Sequence, residues 1–141
     1  HALYAIPKVE LELALKKFLD VLGGSGFIAH ACNDSHYIKF YNYFLQSFDS
    51  NERFPYISAE DILNKLSDMG FKIKYEYLNY TNGTSESNFD TVESYLQRCV
   101  FDDTISLKQM LAHDVTGKYL NSCLIDGDWI FPQKVMLIFI E

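Results

Sequence analysis

Tyr37 and Tyr41 stand four residues apart in a stretch of helical period, which sets two phenol faces on one side of one helix. Such faces hold a cationic amine, or they pack a core. Just upstream, Asp34 and His36 are two side chains able to accept a proton, and either type can also cap the helix that follows, the role expected of Asp34. His30 and His113 are isolated, with no ligand spacing to another His or to Cys, so no metal site is read. Cys32, Cys99 and Cys123 are odd in number, far apart and without a C-x-x-C, which suits buried free thiols better than a disulfide framework or zinc. Neither a Ser-His-Asp set nor a paired-carboxylate motif is evident, and no catalytic residue is assigned.

Gly23-Gly24-Ser25-Gly26 is the one glycine-rich run. A nucleotide-binding turn must follow a strand and open a helix whose first amides face the ligand. This run instead closes a helix and precedes a strand, so it reads as a structural turn.

The elements that must position these residues follow from periodicity. Pro7 to Leu22 is an amphipathic helix with proline at its start, ended by Gly23-Gly24. Ser25 to Cys32 is short and apolar without helical period, the pattern of a strand buried on both faces. Ser35 to Phe48 returns to helix, and Ser58-Ala-Glu-Asp61 caps another that Gly70 stops. Phe71 to Leu78 alternates apolar and charged side chains, as an edge or near-edge strand does, and Asn79 to Asn88 reads as a loop. Helices are expected near Thr91 to Arg98, with Asp90 as cap, and near Leu107 to Tyr119, with Ser106 as cap. Trp129 to Pro132 then leads into Gln133 to Ile140, a strand flanked on both edges.

Composition bounds the function. The 141 residues make one domain or part of one, and a net charge of −7 argues against a phosphate-tracking nucleic-acid binder or an anionic membrane surface. With 48% apolar and 16% aromatic residues the chain is expected to fold. It has no apolar run of about 18 residues and no charged-then-apolar leader, so a cytoplasmic location is expected, with small molecules or proteins as partners.

The order helix, strand, long helix, capped helix, alternating strand, insertion and buried final strand resembles the C-terminal half of a class I S-adenosylmethionine-dependent methyltransferase. The residues that carry the likeness are His1-Ala-Leu-Tyr4, the turn Leu19 to Gly24, Phe54 to Leu63, Leu66 to Ile73, Tyr95 to Phe101 and the ending Phe131 to Glu141. Within the class these segments are most similar to histamine N-methyltransferase and its relatives. The resemblance implies an α/β fold over residues 1–141, a Rossmann-like sheet whose last strand is antiparallel and sits between its neighbours, and S-adenosylmethionine as cofactor. It implies that the cofactor-binding half lies outside this chain, which then should not methylate by itself, and that the substrate is a small molecule, an amine among the candidates. By position, His1 and Tyr4 approach the cofactor. The resemblance implies that Tyr37, Tyr41, Phe101 and Gln133 face the substrate, and Asp34 and His36 are expected beside them at the C-terminal edge of the sheet. A non-catalytic module on the same scaffold is the other reading, with a homodimer formed through the exposed edge of Gly26 to Cys32.

Overall fold

The structure, a computed structural model, describes residues 3–23, 25–48 and 53–140. Pro7 opens a single 3₁₀ turn, Lys8–Glu10, that runs into α1 (Leu11–Val21), whose Leu11 and Leu15 are buried one turn apart. Gly23 closes it at φ 56°, left-handed backbone that glycine adopts without steric cost; Gly24, expected to share the turn, lies outside the described residues. Strand β1 (Gly26–Ala31) leads to α2 (His36–Phe48) and then α3 (Ala59–Asp68). The N-terminus of α3 is a reciprocal cap: the Asp61 amide donates to the Ser58 hydroxyl at 3.2 Å, and the Ser58 amide donates to the Asp61 carboxylate at 3.0 Å.

The remaining elements are β2 (Ile73–Ser85), α4 (Phe89–Val100), α5 (Leu107–Ala112), α6 (Asp114–Ser122), β3 (Leu124–Ile125) and β4 (Asp128–Ile140). The fold is mixed α/β, with six α-helices and a four-stranded antiparallel sheet among the described residues. As expected, the last long strand lies in the middle: the order is β1-β4-β2, and β4 runs antiparallel to both. Ala31, Val135 and Leu78 are abreast in that register.

Side chains alternate across a sheet, so this register divides β4 into two faces. Trp129, Phe131, Gln133, Val135, Leu137 and Phe139 share the first face, and Ile130, Lys134, Met136, Ile138 and Ile140 the second. Helices α2, α4, α5 and α6 cover only the Trp129 end of the first face, in a core that includes Phe40, Phe44, Leu96, Trp129 and Phe131. Helices α1 and α3 cover only the Ile140 end of the second, in a core of Leu11, Leu15, Ile62, Leu66, Met136, Ile138 and Ile140. The far end of the first face is therefore open, with Phe27 60% and Leu78 52% exposed.

Several expectations are corrected. β1 is not buried on both faces: Phe27 and Ala29 are exposed on the uncovered half-sheet, while Ile28 and His30 are buried. Asn79–Ser85 is not a loop but the second half of β2, paired with Asp128–Lys134. An edge strand wetted on most of its surface needs no apolar alternation, so its polar composition misleads. Gly83 fits because a Cβ there would stand 2.7 Å from the Trp129 carbonyl. Trp129 to Pro132 belongs to β4 itself, which starts from a tight hairpin with β3 across Asp126 (φ 51°) and Gly127 (φ 84°), both left-handed as a type I′ turn requires. The helix expected from Leu107 to Tyr119 is two. His113 is extended and breaks it, its ring nitrogen accepting the Val115 amide at 3.2 Å. Gly117 then packs so close to the Leu111 carbonyl that any Cβ would collide with it. Helix α4 begins at Asn88 rather than Asp90, which lies within its first turn. No helix among the described residues is long and apolar enough to cross a membrane.

Candidate functional site

A cavity of about 480 Å³ opens on the first sheet face where the helical cover stops, at the C-terminal end of β1. Its floor is sheet: Ala31 from β1, Gln133 and Val135 from β4, Tyr80 and Asn82 from the part of β2 that the sequence disguises. Its walls are Tyr4 from the N-terminal segment, Tyr37 from the first turns of α2, and Tyr95, Arg98, Cys99 and Phe101 from α4 and its C-terminus. A broader, shallower depression of about 760 Å³ lies at the opposite end of the open face, against Phe27, Lys74, Glu76 and Phe139. Its charged side chains, Lys74 and Glu76, belong to one strand, and it has no hydrogen-bonded polar floor like that around Gln133, so the aromatic cavity is the stronger candidate.

Gln133 anchors the polar floor. It is 5% exposed, and its amide oxygen accepts the Ser35 hydroxyl at 2.6 Å and the Tyr37 backbone N–H at 3.3 Å. A backbone N–H can only donate, which fixes the amide's orientation. The amide nitrogen of Gln133 then donates to the Tyr95 hydroxyl at 2.8 Å, and Asn82 donates to the same oxygen at 3.3 Å. A polar residue inside the sheet is thus satisfied on both sides, as burial demands.

Tyr4 reaches back over the end of β1. Its hydroxyl accepts the Ala31 N–H at 3.0 Å and its ring stacks on His30 at 3.8 Å. His30 is tied by Nε2 to the Ile57 carbonyl at 2.8 Å. Tyr37 meets Tyr4 edge-on at 4.9 Å and stacks on Tyr56 at 5.3 Å. Burial raises the phenol pKa of Tyr37 and Tyr95 and lifts Tyr4 to about 12, and it pushes the Cys99 thiol up to about 11. All four groups are neutral at physiological pH.

Phe101 ends α4 in the left-handed region at φ 51°, uncommon for a bulky residue, and its ring is exposed at the cavity rim. The adjoining chain is held by Arg53, which donates to the Val100 carbonyl at 2.9 Å and pairs with Asp102 at 2.9 Å. Arg98, exposed on the same helix, has no ion pair among the described residues.

Of the residues expected to form the site, Tyr4, Tyr37, Phe101 and Gln133 line this cavity. Tyr41 does not: it lies behind the wall, stacked on Tyr56 at 3.5 Å, its hydroxyl donating to the Phe54 carbonyl at 3.2 Å. His36 points away into the helical core among Phe40, Tyr95, Tyr119 and Phe131. Its Nδ1 meets the Tyr119 hydroxyl at 2.8 Å, its Nε2 has no partner among the described residues, and burial lowers its pKa to about 3. Asp34 is exposed on the second sheet face and pairs with Lys134 at 3.1 Å. His1 lies outside the described residues.

Seven lining residues were not expected at the site: Tyr80, Asn82, Tyr95 and Arg98, with Ala31, Cys99 and Val135 beside them. Tyr80 and Asn82 sat in the supposed loop. Tyr95 and Arg98 were quoted only as part of a helix, although their three-residue spacing already places them on one face.

Among the described residues, Cys32, Asp34 and Glu60 bring three possible metal-ligating atoms within 4.8 Å. Glu60 already accepts the Asn33 amide at 2.9 Å and Asp34 holds Lys134. Burial and the two carboxylates push the Cys32 thiol up to about 12. No protein-family model matches the chain, and no curated protein matches it.

Proposed function

We propose that this chain is the substrate-side portion of an S-adenosylmethionine-dependent methyltransferase, and that the aromatic cavity receives a small-molecule methyl acceptor. The single observation that carries the reading is the sheet order β1-β4-β2 with β4 antiparallel to both neighbours, joined to a cavity at the C-terminal end of β1. Open α/β sheets hold ligands at that edge. The open half-face around Phe27 and Leu78 supports the reading too, because a sheet continued by further strands and helices leaves such a surface on its remaining half.

The fit to the cofactor is partial. Tyr4 offers an aromatic face at the cavity, which suits a sulfonium. Among the described residues no acidic side chain lines the cavity for ribose hydroxyls, and the glycine turn at Gly23 precedes β1 instead of following a strand, so these residues do not hold the nucleoside. With its nucleoside held by other parts of the complete protein, the cofactor would supply its methyl group to the acceptor at this cavity. The residues of this chain pack the acceptor against Tyr4, Tyr37 and Phe101, fix its polar edge against the Gln133–Tyr95–Asn82 chain and exclude water. A one-step displacement needs alignment of this kind and no obligatory acid–base pair.

The test is cofactor binding by the full-length protein. S-Adenosylmethionine at about 100 times its Kd should stabilise the fold by about 2.7 kcal/mol and raise the melting temperature accordingly. No shift with either S-adenosylmethionine or S-adenosylhomocysteine overturns the proposal.

A further inference from the structure

We infer that the cavity selects a planar aromatic acid: a small aromatic or heteroaromatic ring carrying a carboxylate or comparable monoanion, packed against the tyrosine walls with its charge on Arg98. The inference deepens the acceptor-site reading and rests on it.

Charge comes first. Among the described residues no Asp or Glu lines the cavity, and the one ionised lining side chain is Arg98. Asp34, the nearest acid by sequence to the cavity floor, is held by Lys134 on the other sheet face. The phenols of Tyr4, Tyr37 and Tyr95 are held protonated by burial, as is the Cys99 thiol, so no lining anion develops at neutral pH. An ammonium ion entering here would find ring faces but no carboxylate, and would face an uncompensated guanidinium.

Hydrogen-bond capacity points the same way. Both observed acceptor roles of Gln133 Oε1 are filled by the protein's own donors, and the Tyr95 oxygen already accepts from two amides. Each of those amide nitrogens carries a second N–H beyond the one it uses, and Arg98 adds a guanidinium fork. The floor and rim therefore have donors left over, which an anion satisfies. The rings of Tyr4, Tyr37 and Tyr95 supply flat, rigid walls, and a cavity of about 480 Å³ suits a one- or two-ring molecule.

The experiment is calorimetric titration of the full-length protein with three probes of one shape: indole-3-propionate, tryptamine and 3-methylindole. Indole-3-propionate should bind about tenfold more tightly than tryptamine at low salt, the size of one charge-assisted contact. Arg98→Gln should abolish that preference, Arg98→Lys should keep part of it, and neither should change 3-methylindole binding. Because Arg98 is exposed, both variants fold. Tryptamine binding equal to or tighter than the acid, a preference that survives Arg98→Gln, or binding of none of the three overturns the inference. A cofactor-induced melting shift with preference for tryptamine removes this inference alone. Preference for the acid without any cofactor shift upholds it and removes the methyl-transfer reading alone.

Discussion

The two cores on opposite faces of β4 are built from different chemistry. Under α1 and α3 the packing is mainly aliphatic, with Leu11, Leu15, Ile57, Ile62, Leu66, Ile138 and Ile140. Beneath α2 and α4–α6 it is dominated by rings, with Phe40, Tyr41, Phe44, Tyr56, Trp129 and Phe131, and it carries buried His36, Thr116 and Gln133. The two buried side-chain nitrogens without partners among the described residues, His36 Nε2 and Trp129 Nε1, both belong to this second region. So does the cavity at its margin. The aliphatic core, whose buried His30 and Ser58 are hydrogen-bonded, fixes one end of the sheet by volume and transfer free energy, while the aromatic one leaves ring nitrogens without partners among the described residues and room for a guest.

The contrast can be broken most directly at Leu66, which is fully buried in the aliphatic half. Leu66→Ala should cost about 3 kcal/mol and lower the melting temperature by about 10 °C, with the affinity of the folded protein for cavity ligands unchanged. A loss of affinity as well would mean that the two halves are not separable. The next effect belongs to the aromatic half. His36 has its pKa lowered from near 6.5 to about 3 by burial, so the unfolded chain takes up its proton first as pH falls. Stability is then complete above about pH 6.5 and falls by about 1.4 kcal/mol per pH unit towards pH 3 from this group alone. His30, lowered in the same direction, adds to the slope. Denaturant titrations at pH 8, 6 and 5 should show His36→Phe with a shallower acid loss than the parent; equal slopes would contradict the burial. Smallest is Tyr95→Phe, which deprives Asn82 and Gln133 of their shared acceptor. It should cost about 1 kcal/mol and speed amide exchange at Gln133, leaving the Ile138 amide as slow as before.

Much of this frame was legible in the chain. The reciprocal Ser58–Asp61 and Ser106–Gln109 caps, the glycine stops at Gly23 and Gly70 and the apolar run into Ile140 each have a local cause, so local patterns expose them. The second half of β2 was not legible, because its pairing with Asp128–Lys134 is non-local and its exposed side chains carry no period. Asp126-Gly127 between Leu124-Ile125 and Trp129-Ile130 was a readable hairpin signal that went unused. The site divided along the same line. Tyr4, Tyr37, Phe101 and Gln133 were found by order along the chain, whereas Tyr80 and Asn82 come into view only once β2 is extended. Helical spacing alone put Tyr41 beside Tyr37, yet it could not tell that Tyr56 would be slotted in front of Tyr41.

One contact also governs how far this sheet can grow. Cys32 sends its amide inward to Lys134, so by alternation Phe27, Ala29 and Ala31 send theirs outward along the free margin of β1, and the Tyr4 phenol already occupies the last of them. A ribbon zipping onto that margin would be halted at Ala31 unless Tyr4 swung aside. The ring that would swing is also a wall of the cavity, so a strand that pairs only as far as Ala29 leaves the chamber whole, and a guest lodged against Tyr4 holds that stop in place.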